Sequence, residues 1–147
     1  MNLTILEQEL RRDEGVRFSP YKDTKGIMTV GIGHNLQAKP LYNITYPLTD
    51  YQVSCIFQLE VKEVVDQLNQ HLPWWEHLDE VRQRVLCNMC FNLGINTLLT
   101  FKNTLTAISL GNYEQAAAGM RNSAWFKQVG NRAVRLANAI QTGIMSQ

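Results

Sequence analysis

From Thr49 the chain keeps one apolar stripe at helical spacing: Val53, Ile56, Phe57, Val61, Val64, Val65 and Leu68. Steps of three and four residues held over about six turns fit one face of an α-helix and no strand. Thr49 supplies an N-cap, and Pro73-Trp74-Trp75 interrupts the pattern. In a chain of 147 residues a helix of this length must link an N-terminal segment to a C-terminal one. The patterns of those two segments differ.

Before the helix, residues 3–13 predict a short helix with Leu3, Leu6 and Leu10 on one face, stopped by Gly15. Residues 17–35 then carry β-branched and aromatic residues around Asp23-Thr24-Lys25-Gly26, which reads as a hairpin turning near 23–26. Its second strand is expected over 27–33, with Met28, Val30 and Ile32 on one side and Thr29 on the other. After the long helix the period stays helical. Helices are predicted from Asp79 to Leu93, closed by Gly94, over 101–110 ending at Gly111, over 113–120 capped by Asn112, and over 131–142 ending near Gly143. The fold class is therefore α+β. A small hairpin lobe (14–48) is expected, then a connecting helix (49–72) and a helical lobe (73–147 together with 1–13), with ligand binding in a cleft between the lobes.

Charge narrows the partners. Fourteen Lys and Arg against 13 Asp and Glu exclude a polybasic nucleic-acid tail. Residues 101–147 nevertheless hold five basic groups against one acidic, which suits an anionic polymer as well as it suits a solvated face. Three cysteines make no disulfide scaffold, and Cys87-x-x-Cys90 falls on a core helix without a second pair, which points to packing and not to zinc. The first 15 residues carry Glu7, Glu9, Arg11, Arg12, Asp13 and Glu14 and no apolar run, unlike a signal peptide. Residues 85–101 lack charge, but Asn88, Asn92, Gly94 and Asn96 make them a core helix and loop, not a membrane span.

Two carboxyls stand out by their settings. Glu14 lies at the carbonyl end of a helix, which suits a proton-holding acid. Asp23 lies in a polar turn beside Lys22, Thr24 and Lys25, which suits a charged base. Thr29 lies across the hairpin, where its hydroxyl can hold a water beside Asp23. Taken singly, each has a plainer reading: a surface ion pair for Glu14, turn chemistry for Asp23. Gly31-x-Gly33 lacks the following helix of a phosphate loop, and His34 has no partner at metal-ligand spacing, so no metal and no cofactor are expected.

Taken together, Glu14-Gly15, Tyr21, Asp23, Gly26, Thr29, Gly31, Gly33 and His34 form a string that closely resembles the phage lysozymes (endolysins) of the T-even type, glycoside hydrolase family 24. Asp79–Arg82, Asn88–Gly94, Phe101–Leu105, Trp125 and Gly130–Ala133 continue the likeness in order, so it covers nearly the whole chain. The resemblance implies a lysozyme-like fold and an endolysin that cleaves the β-1,4 bond between N-acetylmuramic acid and N-acetylglucosamine in peptidoglycan, lysing the host. It implies Glu14 as proton donor, Asp23 as second carboxylate and Thr29 as positioner of the attacking water. It further implies inversion, with the two carboxyls roughly 6.5–9.5 Å apart. Arg132 matches an arginine that pairs with the catalytic Glu, and His34 belongs to the supporting set. Asn35, Phe91 and Thr104 match substrate-binding positions, although Asn35 stands where the T-even enzyme has Leu and Gly119 where it has Asn. The implied partners are a glycan strand and a holin-type membrane protein, for a monomer that waits in the host cytoplasm, acts on the periplasmic wall and inserts into no membrane. The rival readings are a lytic transglycosylase and a non-catalytic glycan-binding virion protein.

Overall fold

The structure, a computed structural model, describes residues 1–146. It is α+β, as expected: among the described residues there are eight α-helices and one three-stranded antiparallel sheet. The chain divides into two compact units, residues 2–63 and the residues from Val64 onward with Met1.

The first unit opens with α1 (Leu3–Glu14), whose N-cap Asn2 accepts a hydrogen bond from the Ile5 amide at 3.1 Å. Leu6 and Leu10 are fully buried, each contributing about 1.5–3 kcal/mol by leaving water. Arg11 fastens α1 to the start of the long helix, bonding Glu7 (3.0 Å), Asp50 (2.9 Å) and Ser54 (3.1 Å). Strands β1 (Arg17–Lys22), β2 (Met28–Gly31) and β3 (His34–Asn35) lie in that order in the sheet. Tyr21 pairs with Thr29, and Thr29 in turn with Asn35. The strand expected over 27–33 thus stops at Gly31. Gly31 (φ +65°) and Gly33 (φ +64°) both take left-handed backbone, which turns the chain back into β3.

The long helix α2 (Asp50–His71) starts from a reciprocal cap. The Gln52 amide donates to the Thr49 hydroxyl at 3.1 Å, and the Thr49 amide donates to Gln52 Oε1 at 2.9 Å. Val53, Phe57, Val61, Val64 and Leu68 are buried along it, and the division between the two units falls within this helix.

In the second unit a 3-10 turn (Pro73–His77) buries Trp75, whose indole N–H donates to Asn69 at 2.6 Å. Then come α3 (Glu80–Leu93), α4 (Ile95–Leu98), α5 (Lys102–Ser109), α6 (Tyr113–Arg121), α7 (Ala124–Val129) and α8 (Asn131–Thr142). Residues 84–90 of α3 are buried on every side, as a central helix requires. Burial pushes the Cys87 thiol up and the Cys90 thiol up to about 11, so both stay protonated and act as core side chains. Arg82 of α3 donates to the Ile140 carbonyl at 2.7 Å and lays its guanidinium over the Tyr113 ring, thereby holding α8 and α6. Among the described residues no helix is long and apolar enough to cross a membrane.

Candidate active site

Glu14 is the last residue of α1, half-buried. Gly15 (φ +75°) ends the helix behind it and donates its N–H to the Arg11 carbonyl at 3.0 Å, which places the Glu14 side chain at a stiff helix end. The turn of Gly33 approaches that carboxyl closely: a methyl built on Gly33 would lie 3.0 Å from Glu14 Oε2.

Asp23 sits in the β1–β2 turn. Its Oδ1 accepts two backbone N–H groups, from Lys25 at 2.8 Å and from Ile27 at 2.9 Å. This is the turn chemistry the sequence suggests, and it occupies only one of the two carboxylate oxygens. Thr29 is buried on β2, and its hydroxyl lies 2.9 Å from the Ile27 carbonyl. A carbonyl only accepts, so the Thr29 hydroxyl spends its proton there and presents lone pairs elsewhere. The same Ile27 carbonyl accepts the Asp23 N–H at 2.9 Å. Asp23 and Thr29 are therefore both registered to one backbone atom.

His34 is buried, with Nδ1 on the Glu60 carboxylate and Nε2 2.8 Å from the Lys39 carbonyl. The hydrogen bond to Glu60 raises its pKa above the ordinary value of 6.5. The raised value makes the pair's stabilisation complete below pH 6.5, and it fades as pH rises through the folded-state value. Thermal melts of wild type and Glu60→Gln should differ most near pH 5.5, by about 1.5 kcal/mol, the low end for a bond to a charged group because Glu60 is partly exposed. The gap should narrow by about pH 8.5, and a gap that widens with pH would contradict this assignment. His34 thus ties β3 to α2 and has neither nitrogen left for substrate.

The structure also places the remaining expected residues. Asn35 spends its side-chain oxygen on the amides of Gln37 and Ala38, both at 2.9 Å, leaving only its amide N–H groups for a ligand. Phe91 is half-buried on α3. Thr104 is buried on α5, with its hydroxyl 2.6 Å from where a side chain on Gly119 would begin. That overlap accounts for glycine at 119. Arg132 lies in the first turn of α8, is 7% exposed and donates through Nε to Asn88 Oδ1 at 2.8 Å.

The half-buried carboxyl of Glu14 at the end of α1, and Asp23 and Thr29 tied through the Asp23 amide and the Thr29 hydroxyl to one carbonyl of the β1–β2 hairpin, belong to one compact unit. A family model for phage lysozyme matches residues 11–139 and so takes in all of these positions. The chain belongs to the phage lysozyme family. It is accordingly a lysozyme-type glycoside hydrolase. This lysozyme-family chain is 29% identical to the pre-baseplate central spike protein of Enterobacteria phage T4, over 97% of its own length but only 28% of the spike protein's. It is 28% identical to a probable T4-type lysozyme of Dictyostelium discoideum over 98% of both chains. It is 26% identical to the endolysin of Salmonella phage P22 over 74% of this chain and 73% of that one.

Proposed function

We propose that the chain hydrolyses peptidoglycan at the β-1,4 bond between N-acetylmuramic acid and N-acetylglucosamine, with Glu14 as general acid and Asp23 as general base. The observation that carries this reading is the shared Ile27 carbonyl. That carbonyl takes the Asp23 amide and the Thr29 hydroxyl proton, while the amides of Lys25 and Ile27 occupy only Oδ1 of Asp23, so the second carboxylate oxygen and the Thr29 lone pairs remain as a pair of acceptors. A water bound by two acceptors donates both of its protons, so its own lone pair is free to attack. Glu14 gives its proton to the glycosidic oxygen as the bond from that oxygen to C1 breaks. The water oxygen bonds to C1, and its released proton goes to Asp23. Attack from the face opposite the leaving group inverts the anomeric carbon.

The substrate lies outside the inner membrane, so the same reading has the protein held in the host cytoplasm and released by a holin-type partner.

Product analysis tests it. Purified sacculi digested for minutes should yield fragments with free reducing ends, seen by mass spectrometry, and the new ends should be α-anomers by NMR before mutarotation. Products ending in 1,6-anhydro sugars would mean transglycosylation, and binding without release of fragments would mean a glycan-binding protein. Either result overturns the proposal.

A further inference from the structure

We propose that Gly33 is a positioning residue for the Glu14 carboxyl, its bare backbone being the wall against which the acid rests. The inference builds on the role given to Glu14 above. A side chain begun at Gly33 would meet, as its three nearest atoms, Oε2 of Glu14 at 3.0 Å, Cδ at 3.2 Å and Cβ at 3.4 Å. All three belong to the one residue, so the space a methyl would take is filled by the acid itself. The wall is fixed from behind. His34, the next residue, pairs with Val30 across the sheet and is anchored to Glu60 on α2 and to the Lys39 carbonyl. The Glu14 backbone is placed by the end of α1. The wall side is held, so a methyl at 33 makes the carboxyl give by a few tenths of an ångström or covers one of its oxygens. Proton delivery to a glycosidic oxygen depends on where that oxygen edge stands.

Gly31 provides an internal control. It has the same left-handed backbone, φ +65° against +64°, but a side chain there would meet only Val53 Cγ1 at 3.9 Å, an ordinary contact. Alanine at either position costs similar backbone strain, and only at 33 does it press on Glu14.

The test compares Gly33→Ala, Gly33→Asn and Gly31→Ala with wild type. Melting temperatures are measured first, then kcat and KM on a soluble peptidoglycan glycan fragment well below every melting point. Asparagine tolerates left-handed backbone better than alanine, so Gly33→Asn carries the comparison if Gly33→Ala does not fold. The expected result is a kcat at least about tenfold lower for the variants at 33 than for Gly31→Ala, with KM within about twofold, since small misplacements of a reacting group act on the chemical step. A smaller ratio, or a loss confined to KM, overturns the proposal. Glu14→Gln is run alongside. If it stays active, the role of Glu14 is wrong; if it is inactive while the variants at 33 match Gly31→Ala, only the positioning role of Gly33 fails.

Discussion

Glu14→Gln should leave the fold intact and reduce glycan cleavage by about 10²–10⁴-fold, the range by which a positioned general acid accelerates such a step. The glutamine amide fills the same space at the end of α1 and can rest against the same Gly33 backbone. What it cannot do is hand a proton to the leaving oxygen. Melting temperature and circular dichroism should match wild type, while release of reducing ends from sacculi and clearing of permeabilised Gram-negative cells should both collapse. Wild-type activity in this variant would remove Glu14 from the chemistry.

Asp23 should separate structure from catalysis when it is changed in two ways. Asp23→Asn keeps a side-chain oxygen to receive the amides of Lys25 and Ile27, so the turn is retained. It lacks the charge needed to take a proton from water, and activity should fall by about 10²–10⁴-fold. Asp23→Ala loses the base and the turn together, and should add a stability loss of about 1–2 kcal/mol from two backbone donors left without their partner. Denaturant melts and product release, measured on both variants, resolve the two effects. An active Asp23→Asn protein would show that the carboxylate serves only the turn.

Much of the architecture could be read from local signals. The stripe from Val53 to Leu68, the threonine ahead of it and the glycines closing the helices act within one or two turns, and the structure places α2, α3, α5 and α8 close to where those signals point. The four-residue α4 and six-residue α7 were not legible, because so few residues show no period. The end of β2 at Gly31 was also hidden: alternation continues through Ile32, and only the positive φ of two glycines breaks the strand. In the candidate site, the residue types at 14, 23 and 29 suggested the chemistry that is proposed. Their commitments did not show, since those arise from pairing over distance. Nothing local says that His34 chooses Glu60, 26 residues away, or that Gly33 shapes the room left for Glu14.

Because the Asp23 amide and the Thr29 hydroxyl both end on the Ile27 carbonyl, neither can drift without dragging the other. In the proposed reaction, the gap between proton acceptor and water holder is thereby set when the hairpin forms, ahead of any encounter with a sugar. Flexing during turnover has to be taken up elsewhere in the chain, and lengthening the loop between residues 23 and 29 would desynchronise the two halves of water activation even if each residue were kept.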